Sequence, residues 1–366
     1  MQKVLKNSML VACLLMLPAL AFAGDLDLEL SRFTEQSESC PNCGVYFQGQ
    51  TNPNGGAPID CGRPNNAFCY AIADNERFYS LASELGVVLA PKFLMPAETL
   101  GYNGFSFGFQ AGLTKISKNA DFWEATQMFD PDDPEPDRPD EFLTTIGAMA
   151  HKGIWLPIPS FEIGAGFNYL PRSGMWMMLV DTKFAIHEGF HNFPLPELAV
   201  RGTGGRMVGN SQMDLTLAGL DFSMSKSFGI AGTFNLTPFV GYQILWIVAD
   251  PEVLDATPDE DAVEASREAP GPIAQCSERV ADCNAYFVFF DPDPILRHRV
   301  FGGFRIVIGV FNITGEFAMT TKGTSTEADV AQQFDADGRL RPTTATTVED
   351  RAAVQPSIHA MVGLDF

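Results

Sequence analysis

The last twelve residues constrain this chain more than any other stretch. From Gln355 to Phe366, Ile358, Ala360, Val362, Leu364 and Phe366 fall on one parity, and His359, Met361, Gly363 and Asp365 fall on the other. A repeat of two is the repeat of an extended strand, whose successive side chains point to opposite faces. One face is oily and ends on the final aromatic residue; the other is mixed. An oily strand face must be covered by a core or bathed in lipid, and the rest of the chain decides which.

The front end sets the compartment. Lys3 and Lys6 form a basic start, Met9 to Leu20 is apolar, and Ala21-Phe22-Ala23 offers small residues before Gly24. This is the pattern of a secretory signal peptide, so residues 1–23 are excluded from the fold and 24–366 form one unit. Leu10-Val11-Ala12-Cys13 formally fits a lipid-attachment box. The apolar run before Cys13 is too short for the roughly 7–15 residues of a signal core, and apolar sequence continues after it. Beyond Gly24 no run reaches the ~18 apolar residues of a membrane helix, so any crossing is made by strands. Without Lys3 and Lys6, 24 − 2 = 22 basic residues face 45 acidic ones, a net charge of 22 − 45 = −23. That sign argues against nucleic-acid partners.

Alternation recurs along the chain. Strands are expected over about 25–33, 79–94, 105–114, 142–153, 161–169, 175–187, 196–203, 212–225, 232–249, 297–309, 312–322 and 355–366. Phe105, Phe107, Phe109, Ala111 and Leu113 against Ser106, Gly108, Gln110, Gly112 and Thr114 is the clearest internal case. Leu215 and Leu217 lie out of phase with Leu220, Phe222 and Met224, which suggests a bulge near Gly219. The strands are separated by long polar loops at 34–78, 118–141, 250–296 and 323–354 and by short turns at 96–103, 154–159 and 310–311. With twelve strands, every one of these long loops falls on one side and the turns at 96–103, 154–159 and 310–311 fall on the other.

The closing strand with its terminal Phe366 resembles the closing strand of Gram-negative outer-membrane β-barrels. No specific family is identified. The resemblance implies an all-β, closed antiparallel transmembrane barrel of about twelve strands in the bacterial outer membrane, with lipid and the barrel-assembly machinery as partners. It makes Ile358, Ala360, Val362, Leu364 and Phe366 the assembly signal. The physics agrees: closure leaves no backbone group unpaired in hydrocarbon, and the strands have the ~9–11 residues a tilted crossing needs. In such barrels long loops face outside and short turns face the periplasm. Trp155, Trp176 and Trp246 then fall at membrane interfaces as aromatic girdles.

Six cysteines remain after Cys13 is removed, an even number in an oxidising compartment. Cys276 pairs best with Cys283, and Cys40, Cys43, Cys61 and Cys69 pair among themselves in an undetermined pattern. No cofactor or metal motif stands out. Asp335-Ala-Asp337-Gly338 and Asp130 to Asp137 lack full calcium-loop spacing and read as solvated acidic loops. Gly104-Phe-Ser106-Phe-Gly108 matches a nucleophile-elbow pattern but lacks the strand-to-helix turn that exposes such a serine. A lipid-modifying enzyme using Ser106 with His151, His187 or His191 is therefore a minor alternative.

The inward parity carries Glu162, Asp181, Lys183, His187, Arg201, Arg305, Glu316 and His359. A charge inside a barrel must be paired or wet. Wet, these groups would line a narrow polar passage for small solutes in a monomeric barrel; paired, they would close it. Passage of small solutes is the favoured function, a non-conducting surface scaffold or adhesion barrel the alternative, and lipid modification the third.

Overall fold

The computed structural model describes Leu26, Leu28, Leu30 and residues 33–35, 72–126, 139–155, 160–188, 195–230, 234–251, 254–255, 286–287, 293–329 and 345–366. All seven cysteines, His191 and both acidic calcium-like stretches lie outside these residues, as does the signal segment. Ten long strands form the ring: β1 (Phe105–Lys115), β2 (Phe142–Ile154), β3 (Phe161–Tyr169), β4 (Trp176–His187), β5 (Glu197–Val208), β6 (Met213–Ser225), β7 (Phe234–Pro251), β8 (Ile295–Ile308), β9 (Phe311–Thr320) and β10 (Gln355–Asp365). Each pairs antiparallel with the next, and β10 returns to β1 with Leu364 opposite Phe107 and Ser357 opposite Thr114. Phe105 and Phe366 exchange both backbone hydrogen bonds at 2.9 and 2.8 Å, so the seam is sealed to the last residue. A three-residue strand, Phe228–Ile230, folds back on the start of β7.

Outward positions are apolar and uncovered: Phe109, Val180, Ile358 and Val362 are 57–67% exposed. Side chains of this kind gain nothing from facing water, and a closed ring leaves no sheet edge, so the exterior is suited to hydrocarbon. Trp155 is exposed beyond the end of β2, and Trp176 starts β4, packing its ring 4.5 Å from Tyr169. Trp246 lies half-buried on the outward parity of β7.

Two expected strands do not form among the described residues: residues 79–94 lie inside the ring, and Leu26, Leu28 and Leu30 pack at its outer end. Asn75–Leu89 is a helix, α1, in which every residue from Phe78 to Leu89 is buried. Asp74 caps it by accepting the Arg77 N–H at 3.0 Å. It ends at Ala90, which turns extended (ψ 151°) before Pro91, as residues preceding proline do. Leu26, Leu28 and Leu30 form no strand; Leu26 N–H bonds the Arg172 carbonyl at 3.0 Å, and Leu30 N–H bonds Gln212 Oε1 at 3.1 Å. The chain continues from α1 as an extended strap, Ala90–Leu100, into a turn before β1. Subtracting two strands leaves an even number, so both barrel termini still fall on one side.

That side is defined by the connections. Residues 155–160, 188–196, 226–233 and 309–310 join strands at the end holding Phe105 and Phe366, and the connections at 116–141, 252–294 and 321–354 lie at the other. The first end is periplasmic and the second is outside. The oily core sits in the outer half, where α1 packs against Met177, Met207, Leu217, Leu245, Ile247 and Leu143, beneath Phe122, Trp123, Leu28 and Phe33. This explains Leu215 and Leu217. β6 carries no bulge: its burial alternates without interruption, and those two leucines face inward onto the helix while Leu220, Phe222 and Met224 face out. The register shift lies in β4 between Ala185 and His187.

Candidate functional site

The lower lumen is built around the strap. A helix satisfies its own backbone, but an extended segment away from water needs partners for every N–H and C=O. The wall supplies a series of them in order of descent. Arg299 on β8 donates to the Val87 and Pro91 carbonyls at 3.3 and 3.1 Å, and Asn168 on β3 donates to Leu89 and Ala90, both at 3.3 Å. Three of these bonds, to Val87, Leu89 and Ala90, cap the unpaired carbonyls at the end of α1, where the helix dipole is negative. Arg201 on β5 donates to the Phe93 carbonyl at 3.1 Å, and Glu316 on β9 accepts the Leu94 N–H at 2.8 Å. Lys183 on β4 donates to the Pro96 and Glu98 carbonyls, and Ser225 on β6 accepts from Ala97 N–H at 3.0 Å. At the periplasmic mouth Glu188 takes the Thr99 N–H and hydroxyl, and Glu162 takes the Leu100 N–H at 3.0 Å. Phe93 stacks on Phe301 with centroids 3.9 Å apart, with the Arg201 and Arg299 guanidiniums 4.9 and 5.4 Å from its ring centre.

The same side chains are paired with one another. Arg201 Nε donates to Asp221 at 3.0 Å, Lys183 lies 3.3 Å from Glu162, His359 Nδ1 is 2.9 Å from Glu316, and His151 Nε2 is 3.0 Å from Asp181. Arg305 bonds Asp365 at 2.5 Å, and Asp365 also accepts from Asn312 at 2.8 Å. Of the inward residues expected from sequence, Glu162, Asp181, Lys183, Arg201, Arg305, Glu316 and His359 are buried, and His187 is half-buried beside the β4 register shift. Glu162, Lys183, Arg201 and Glu316 meet on the strap; Asp181 meets His151 on the wall; Arg305 meets the chain end. His187 joins none of these groups.

Sequence reasoning missed Arg299, Arg297, Asp221, Asn168 and Glu84. Arg297 and Arg299 share the parity of Arg305, which could have flagged them. Asp221 was hidden by the expected bulge. Glu84 is buried on α1, where its carboxylate accepts the Trp123 indole N–H at 2.7 Å and the Ser117 hydroxyl at 2.7 Å. Buried carboxylates this well served are anchors.

Ser106 also faces inward, and it sits directly across from His151 in the β1–β2 register. With Asp181 this sets serine, imidazole and carboxylate in a row across β1, β2 and β4, with Gly164 of β3 between the last two, where a Cβ would strike both His151 and Asp181. Among the described residues no hydrogen bond joins Ser106 to His151, and all three side chains are buried. Among the described residues no cluster of His, Cys, Asp and Glu is arranged to hold a metal.

A closed antiparallel ring with an oily exterior and all its long connections at one end is an outer-membrane β-barrel, and the chain is one, located in the bacterial outer membrane. No family model matches it, and no curated protein matches. Solved structures similar to it are outer-membrane barrels. They include the Ail attachment invasion locus protein of Yersinia pestis (6% identity, 72% of this chain and 99% of that one, TM-score 0.23) and the outer membrane protease OmpT from Escherichia coli (10%, 73% and 96%, 0.28). The beta domain of the Bordetella autotransporter BrkA is a third (10%, 73% and 99%, 0.30). Scores at this level carry no argument about activity.

Proposed function

We propose that the barrel rests closed and serves at the cell surface as a scaffold for its outer connections, with no standing water path. One observation carries this reading: the strap is bound along its length by six of the ten strands, β3, β4, β5, β6, β8 and β9, so it runs along the axis of the ring. Charges that would line a wet passage are instead spent on the strap backbone and on each other. A ten-strand ring is also little wider than the eight-strand barrels that side chains alone can fill. Reconstitution in planar bilayers tests this: insertion without steady conductance is expected, and a sustained ohmic current from the unaltered protein would overturn it.

Passage of small solutes is the second reading, for a state in which the strap has shifted. It is favoured by the polar lower wall, where the Thr203 and Thr314 hydroxyls and the Gln243 amide have no partner among the described residues. An enzymatic reading would rest on Ser106, His151 and Asp181, and their burial works against it.

A further inference from the structure

The order of contacts fixes a direction. Arg77 and Ser80, early in α1, meet Asp121 and Arg351 at the outer end. Val87 and Leu89 meet the wall lower down, Phe93 and Leu94 near mid-depth, and Thr99 and Leu100 at the periplasmic mouth. The chain therefore enters the ring from outside and leaves it at the periplasmic end, where β1 begins. Upstream of α1, Thr34–Glu35 pairs with Ile72–Ala73, and Asp74 N–H bonds the Phe33 carbonyl at 2.8 Å. Leu26 and Leu30 are bonded to the outer turns at Arg172 and Gln212. From these residues the covalent path to β1 runs through the lumen.

The geometry points to a barrel that carries its own N-terminal segment to the cell surface: Leu26, Leu28 and Leu30 are packed at the outer end of the ring, having crossed the membrane through the barrel that follows them in sequence. A polypeptide destined for secretion reaches the periplasm first. A segment found at the outer end of the ring, joined to its barrel by a strap along the axis, has passed through the pore or been enclosed as the ring shut. Neither route takes it through hydrocarbon, where extended backbone is excluded. A conducting barrel would have the same chain path, so failure of this topology is distinct from failure of the closed-state reading.

Residues 24–91 contain no lysine, so an introduced one is the segment's only side-chain amine, told apart in fragment spectra from the α-amine that signal cleavage would leave at Gly24. We would introduce Asp25→Lys and treat intact cells with a membrane-impermeant amine-reactive biotin, reading the labelled positions by peptide mass spectrometry. Two native lysines serve as references: Lys322, exposed at the outer end, and Lys152, at the periplasmic end with its amine on the Asn103 carbonyl. The expected result is that position 25 is labelled on intact cells together with Lys322, while Lys152 is labelled only after the outer membrane is permeabilised. Labelling of position 25 that follows Lys152 would overturn the proposal. Folding is checked by the mobility difference between heated and unheated protein. If Asp25→Lys does not fold, Asp27→Lys carries the same readout.

Discussion

The two halves of the lumen hold the same continuous segment by opposite means. In the outer half the wall is mostly methionine, leucine and isoleucine, with Arg297 bonded to Ser83, and the segment is a helix; in the periplasmic half arginine, lysine and glutamate dominate the contacts, beside Phe301 on Phe93, and the segment is extended. The backbone explains the match. A helix closes its own hydrogen bonds and offers only side chains, so an oily wall suffices. A strap closes none, so each exposed amide and carbonyl must find a partner on the wall. The wall changes character where the helix ends, at the Arg299 and Asn168 bonds to its last carbonyls.

Substitutions in the two halves should therefore fail differently. The largest effect is expected from Arg201→Ala, which leaves Asp221 buried and uncompensated and frees the Phe93 carbonyl. A loss of about 3–5 kcal/mol is expected in urea unfolding from detergent or lipid, with a rise in bilayer conductance because the strap is released. Arg201→Met combined with Asp221→Leu should recover most of the stability but not the strap contact; if conductance also returned to baseline, the strap would not be what blocks the lumen. Next, Leu85→Ala removes a fully buried side chain from the outer half, and about 2–5 kcal/mol should be lost with no rise in conductance. Gly86→Leu probes the same contact from the other direction. A Cβ there would lie 2.7 Å from Ile247 side-chain carbons, and overpacking of about 1–3 kcal/mol is expected by the same unfolding assay.

Smaller still, Asp74→Ala removes the helix cap and should cost about 1 kcal/mol. The smallest effect is one of pH at the outer rim. Burial acts to raise the Asp121 pKa, but hydrogen bonding and attraction from Arg351 and Arg77 prevail and hold it below its ordinary value of 3.8. A carboxylate with a depressed folded pKa contributes stability above its unfolded pKa and loses it as pH falls through the folded one. The pair is partly exposed, so less than about 1 kcal/mol should disappear on acidification below pH 4. An Arg351→Gln variant should show a weaker acid dependence in the same titration.

The barrel strands were legible because each has lipid on one side and a different environment on the other, which imposes a repeat of two. The helix was not legible, for a related reason. Buried on all sides, α1 has no solvent face to set a polar stripe, and Leu85, Val87, Leu89 and Phe93 fall by chance on one parity. The signals that identify it are local: Asp74 as cap, Leu81, Leu85 and Val88 at helical spacing, and Pro91 as terminator. The charged lining was legible as inward-facing, but its purpose was not. Nothing in the spacing of Lys183, Arg201 or Glu316 says that their partner is the backbone of residues 93–98. Alternation reports which face a side chain is on, and only the folded ring reports what shares that face.

Gly101 to Gly104 has one further consequence. Only this tight turn, closed by the Gly104 N–H to the Gly101 carbonyl at 3.2 Å, separates the last bound residue of the strap from the first strand of the wall. The occupant is thus leashed at its foot to the cylinder it fills. It cannot be ejected as a cork is; to clear the bore, some agent must reel the preceding chain inward or let the strap go slack against one side.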